Sequence, residues 1–209
     1  MRKLSRKILN NIRRVYNQAN EDDRLNGLYW YQTAHNDAKG IALKYGFTVE
    51  QVAGIISALS PSNPWGKNLQ DAEKFAHAHA HKQPRPMVGT YGLRNLEKAT
   101  RILNGSNIPA EFDPMRGPKT HAFFHLIFNP SNDLLVCVDR HAKAIAYNRK
   151  GNEKNSVVRP YEFRYLARHY VKVARELDLL PHQLQAITWL AWLRLYGRYD
   201  ANSFDNHPF

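Results

Sequence analysis

Cysteine is almost missing from this chain of 209 residues: the only one, Cys137, stands in the apolar run LLVCV. A single cysteine excludes an intramolecular disulfide and any cysteine-built iron–sulfur or zinc centre. Its apolar neighbours make it a core residue rather than a reactive thiol. Long hydrophobic runs are lacking too. None approaches the roughly 20 apolar residues that a membrane helix needs, so a soluble, intracellular protein is expected, cytoplasmic and nucleoid-associated. Acidic side chains are scarce, with 18 Asp plus Glu against 30 Lys plus Arg, which leaves a formal charge of +12 and a sequence pI near 9.9. A surplus of that size points to a polyanionic partner, most simply nucleic acid, and supplies affinity and salt dependence without reading a sequence. Period-two alternation is rare, and there is no internal repeat or low-complexity tract.

What the chain does have is apolar spacing of three and four residues almost throughout, which predicts a mainly α protein. Its length suits one well-buried domain, or two lobes sharing a core. The first twenty residues carry six cations and no acid, with Leu4, Ile8, Ile12 and Val15 on one helical face. A transit peptide has that look. A first helix with a DNA-facing basic side explains it as well, and the lack of anything resembling a cleavage site before the next helix favours this second reading.

Helices are predicted over 3–18, 22–45, from Thr48 to Leu59, over 65–81 and over 93–104, where Gly105 ends the last of them. A helix follows Gly117 and Pro118, another runs from Arg140 to about Tyr147, and two more start near Pro160 and Pro181. The segment LLVCV reads as extended, and the loop RKGNEKNSVV as polar and mobile.

Two stretches carry chemistry. In RGPKTHAFFHLI, Gly117 can cap and Pro118 suits the first helical position. Lys119 then sits in the first turn, where the macrodipole disfavours a cation by about 0.3–1 kcal/mol at an exposed site. A residue placed against a local preference invites a functional explanation, although a lysine bent out into solvent would also account for it. In VCVDRHAKAIA, Asp139 precedes a helix, a position that capping alone would explain at roughly 1 kcal/mol. A lysine at one helix start and an aspartate at the next, twenty residues on, could serve one cleft.

In that order the stretch GPKTHAFFHLIFNPSNDLLVCVDRHAKAIA resembles the helix-hairpin-helix DNA glycosylases of the endonuclease III superfamily. Their pattern is a Gly-rich hairpin, Lys-Thr-Ala, an apolar helix and Val-Asp-Thr-His. GIISALSPSNPWGKNLQDA is similar to that family's early helix and duplex-probing loop, and YGLRNLEKATRIL to the helix before the hairpin. The likeness covers about residues 48–148. The termini, including LQAITWLAWLRLYG, look more like small phage-borne proteins. Departures are plain: the hairpin keeps only Gly117 and inserts Pro118, His121 replaces alanine after Lys-Thr, and Arg140 replaces threonine after Asp139.

The resemblance implies an all-α helix-hairpin-helix glycosylase fold for residues 1–209. Residues 48–148 would form a central lobe with the hairpin, 1–47 and 149–209 a flanking helical lobe, and a cleft would lie between them. It implies excision of a damaged or modified base from double-stranded DNA, with the nucleotide flipped out and strand cleavage as a possible second step; a hypermodified phage cytosine is among the candidate bases. Lys119 would attack the sugar C1′, and Asp139 would stabilise the cationic sugar. Arg116, Gly117 and Thr120 would hold phosphate at the hairpin. Ser60, Asn63, Trp65 and Asn68 would probe the duplex, Trp65 being equally readable as a core anchor. Arg140 and His141 would flank the DNA beside Asp139. No cofactor and no metal are implied.

The pair His77 and His81 has no nearby carboxylate and reads as packing rather than metal ligation. Trp189, Trp192 and Tyr196 read as interhelix packing, and His121 and His125 as structural. Two other functions fit the charge: a non-catalytic helix-hairpin-helix DNA-binding protein, and a ribosome or RNA contact.

Overall fold

The computed structural model describes residues 2–88, 92–149 and 157–196. Among these the regular structure is helical throughout, with no strand. The order is α1 (Arg2–Asn17), α2 (Glu21–Tyr45), α3 (Val49–Leu59), α4 (Trp65–Ala80), α5 (Gly92–Leu103), α6 (Ile108–Glu111), α7 (Pro118–Phe128), α8 (Arg140–Tyr147), α9 (Pro160–Glu176) and α10 (Pro181–Tyr196). The all-α expectation therefore holds. No described helix is long and apolar enough to cross a membrane. The loop read as mobile falls largely outside the described residues.

Local chemistry explains the boundaries. Thr48 and Gln51 form a reciprocal capping box at the head of α3, with Gln51 N donating to Thr48 Oγ1 at 3.1 Å and Thr48 N to Gln51 Oε1 at 3.0 Å. Proline opens α7, α9 and α10, where a missing N–H costs nothing. Gly46 and Gly105, at φ +75 and +85, end α2 and α5 in the left-handed region. The four-residue α6 was not anticipated. It starts from Asn107, whose side chain accepts from Ala110 N at 3.3 Å.

The chain divides into two compact units. The first takes residues 1–31 and 131–199, and so contains α1, the head of α2, α8, α9 and α10. Its core is built by Ile8, Ile12, Tyr170, Val173, Ile187 and Trp192, all fully or almost fully buried. Polar pins fix α1 and α2: Asn11 Nδ2 donates to Ala146 O at 2.8 Å, and Arg194 grips Asp23 at 2.7 Å. Trp192 meets Tyr196 edge-on one turn along α10, and Trp189 meets Trp30 edge-on between α10 and α2.

The second unit takes residues 32–130, with α3 at its centre. Val52 to Leu59 are buried without interruption, and α3 touches α4, α5, α6 and α7. The bounds differ from the lobes expected at 48–148 and at the two ends. Ala142, Ile145 and Ala146 bury α8 against α1 and α10, which places it with the chain ends. The tail of α2 joins the second unit, where His35 Nδ1 bonds Ile127 O at 3.0 Å and Lys44 pairs with Glu73.

Candidate functional site

The turn leading into α7 is held by its own backbone. Gly117 N donates to Asp113 O at 2.8 Å, and Asp113 Oδ1 accepts from Met115 N at 2.7 Å. Arg116 is 92% exposed and sits 3.5 Å from Asp113 Oδ2. A surface pair of that length contributes little, so the guanidinium is available to a phosphate. Gly117 caps without a side chain, and a Cβ there would stand 3.0 Å from Thr120 Oγ1. Thr120 turns its hydroxyl back to Gly117 O at 3.1 Å, so the predicted phosphate contact also stiffens the turn. Lys119 is the second residue of α7, half-buried at the positive end of the helix dipole.

Packing behind the turn fixes its position. Phe112 stacks on Phe124 with ring centroids 4.9 Å apart, and both are buried. Lys98 lies 4.6 Å over the Phe112 ring and donates to Glu111 O, and burial lowers its amine below the usual lysine value. Further along α7, His121 and His125 stand one turn apart with ring centroids 4.5 Å from each other. Burial lowers both from their ordinary value of 6.5, and the charge of His125 lowers His121 further.

The loop between α3 and α4 behaves differently from its sequence reading. Ser60 is buried and donates to Ser57 O at 3.0 Å. Asn68, only 1% exposed, donates to Ile56 O at 3.1 Å. Asn63 bridges Leu59 O and the fully buried Asp71, to which Lys67 also donates. In this structure these polar groups tie the loop to α3 and α4 instead of reaching outward. Ser60 and the Asn68 Nδ2 group are thus engaged by backbone carbonyls of α3. Trp65 meets Phe123 edge-on at 6.2 Å and is half-buried, which makes it the link between this loop and α7.

Asp139 belongs to the first unit. Its Oδ1 accepts from Ala142 N at 2.8 Å, which caps α8 as the spacing suggested. Arg140 is exposed, and its Nε approaches His141 Nε2 at 3.4 Å. Two buried phenols feel the aspartate. Tyr31 is raised well above the usual tyrosine value by burial first, then by the charges of Cys137 and Asp139. Tyr170 is raised chiefly by burial and also by Asp139. Both therefore stay protonated as donors. Tyr31 reaches Gln185 Oε1 at 3.4 Å, and Tyr170 reaches Ala142 O at 3.3 Å. The sequence places Tyr170 on a buried stripe with Leu166 and Val173, as found, but gives no sign that it, Tyr31 or Gln185 belongs near Asp139.

Arg116, Gly117, Lys119 and Thr120 thus share one turn. Ser60 and Asn63 in the loop, and Trp65 and Asn68 in the first turn of α4, lie in the same unit, and Asp139, Arg140 and His141 head α8 in the other. His77 and His81 stack at 4.3 Å, with His81 Nδ1 against His77 O at 2.8 Å. A pocket of about 460 Å³ opens in the second unit between α2 and α4, lined by Tyr45, Glu73, His77, Pro84 and Pro86 among others. None of the predicted site residues lines it.

A family model spans nearly all of this architecture, matching residues 2–195. The chain belongs to a family of unknown function, DUF7178. No curated protein and no solved structure matches it. Because the DUF7178 match covers α1 to α10, the lysine turn and the capping aspartate both lie inside the family's span.

Proposed function

We propose that this DUF7178 protein is a DNA glycosylase that removes a damaged or modified base from duplex DNA. The observation that carries the reading is Lys119, half-buried in the first turn of a helix entered through a closed Gly-Pro turn whose outer cation, Arg116, is open to solvent. Support comes from Asp139, which heads the next long helix beside two protonated phenols, and from the charge of +12.

On this reading the Lys119 amine, in its neutral form, adds to the sugar C1′ as the C1′–N bond breaks and its electron pair leaves with the base. The Asp139 carboxylate stabilises the oxocarbenium-like sugar that forms on the way. Arg116 and the turn around Gly117 hold the adjacent phosphate, and extruding the nucleotide costs a few kcal/mol that DNA contacts must offset. The adduct loses an N–H proton, and its sugar ring opens as the C1′–O4′ bond breaks with its electron pair on O4′, which takes up a proton; the resulting imine would permit strand cleavage by β-elimination.

The test is to incubate the protein, Lys119→Gln and Asp139→Asn with duplexes carrying damaged bases and plain or glucosylated hydroxymethylcytosine. Aldehyde-reactive sites are then counted and the imine is trapped with borohydride. The expected result is abasic sites on one substrate, trapping lost in Lys119→Gln, and turnover reduced about 10²-fold or more in Asp139→Asn. Trapping by Lys119→Gln at the unaltered level would overturn the lysine's role.

The capping bond of Asp139 favours one rival, a non-catalytic DNA-binding protein, because it supplies a structural reason for the residue. That rival predicts salt-sensitive binding unchanged by Asp139→Asn and no abasic sites on any substrate.

A further inference from the structure

Helix α9 is amphipathic in an unusual way. Its inner face buries Phe163, Leu166, Tyr170 and Val173, while Arg164, Arg168, Lys172 and Arg175 follow one another along its exposed side at spacings of four, four and three. At 1.5 Å per residue the four cations span about 16 Å, each roughly one turn from the next. The helix also carries two acids, and both are engaged by other cations: Glu162 by Lys143 and Glu176 by Arg13, each at 2.7 Å.

Helix α1 lies alongside. Ser5 Oγ meets His169 Nε2 at 2.8 Å, and eight residues later Arg13 meets Glu176, so α1 and α9 run parallel with their exposed faces adjoining. Helix α1 has no acid and exposes Lys3, Arg6 and Lys7. Together the two helices present seven exposed cations on one unit.

We infer that the adjoining faces of α1 and α9 form a second DNA-binding surface, which grips the phosphate backbone of a duplex in the unit that carries Asp139. The inference rests on the DNA reading above and assigns contacts that the hairpin and loop residues do not make. Charge complementarity names the occupant. A duplex backbone presents regularly spaced phosphate charges, and the regularly spaced cations along α9 are of the complementary sign. An anionic membrane is a poorer fit, because an interfacial helix must insert an apolar face. Ile8, Ile12 and Val15 of α1 and Leu166, Tyr170 and Val173 of α9 are fully buried in the unit's core and cannot serve as that face.

The test measures binding to an undamaged duplex as a function of salt. It compares the intact chain, the triple Arg168→Gln/Lys172→Gln/Arg175→Gln, and a control triple of equal charge loss on the other unit, Lys39→Gln/Lys74→Gln/Arg85→Gln. With about 0.9 counterions released per phosphate contact, the ridge triple should lower the log–log salt slope by about 2.7 and the control should lower it far less. A second triple, Lys3→Gln/Arg6→Gln/Lys7→Gln, carries the same prediction and decides the matter if the first lowers the melting temperature. An unchanged slope in a folded ridge variant, or equal losses in ridge and control, would overturn the inference. So would loss of binding to structured RNA or phosphatidylserine vesicles with duplex binding intact. Failure of the glycosylase chemistry leaves this measurement unaffected, since the duplex carries no excisable base.

Discussion

Gly27 and Ile187 approach so closely that a Cβ on the glycine would stand 2.5 Å from the Ile187 backbone nitrogen. The missing side chain is what lets α2 and α10 cross at this point, and the obstacle is main chain, which cannot rotate away. Gly40, on the same helix, has nothing within 4 Å of its would-be Cβ.

The same substitution should therefore have opposite signs at the two sites. Gly27→Ala is expected to destabilise by about 1–3 kcal/mol or more through overpacking, and Gly40→Ala to stabilise by up to ~1 kcal/mol through helix propensity. Thermal unfolding of the two variants measures this, and a shared sign would contradict the close crossing.

Asp139 has two separable jobs. Asn keeps the oxygen that accepts from Ala142 N but loses the charge, whereas Ala loses both. Asp139→Asn should unfold near the parent temperature and, on the proposed glycosylase reading, suppress base excision, and Asp139→Ala should add a stability loss of about 1 kcal/mol. Paired melting and abasic-site assays check it. A large stability loss in Asn would show that the charge, not the cap, holds α8.

Asp71 is fully buried and gathers Asn63 and Lys67. Asp71→Ala removes both partners' acceptor at once and should cost about 2–3 kcal/mol. The 60–64 loop, which contains Ser62 at φ +59, should become the first segment to exchange its amides. Hydrogen exchange across residues 60–68 is the readout, and uniform protection there would refute the anchoring role.

The histidine pair of α7 predicts an acid limb. Burial depresses both groups, so the unfolded chain binds protons that the folded chain does not. Stability is then full above the ordinary value of 6.5 and falls as pH drops below it towards the depressed folded values. Denaturant midpoints between pH 7.5 and 5 should decline in the parent and flatten in His121→Gln/His125→Gln. An identical decline in both would assign the acid limb elsewhere.

Much of the fold was readable because local rules and burial agree. Thr48 with Gln51, Pro118, Asp139, Pro160 and Pro181 each mark a helix start through backbone chemistry that needs no tertiary knowledge. The short α6 escaped because four residues carry no periodicity, and its existence depends on Asn107 and on Ile108 filling space beside Gly54. The internal bonds of Ser60, Asn63 and Asn68 were not legible for a related reason. Polar side chains between helices look outward in a sequence, and only the buried carbonyls of Ser57, Ile56 and Leu59 reveal what they bind. Tyr31 and Tyr170 were invisible as neighbours of Asp139, being 108 and 31 positions from it and placed beside it by packing alone.

The first unit is assembled from two segments that are far apart in sequence, residues 1–31 and 131–199. On the ribosome α1 is made before the segments that cover it. At about 5–20 residues per second, α1 emerges several seconds before the α8 to α10 segments that cover Ile8 and Ile12 have been synthesised. During that interval the whole of residues 32–130 can collapse around α3, and the loop that α1 must close carries its entropic cost already reduced by a folded insert. Chain order thus allows residues 32–130 to fold before α1 meets α8 to α10.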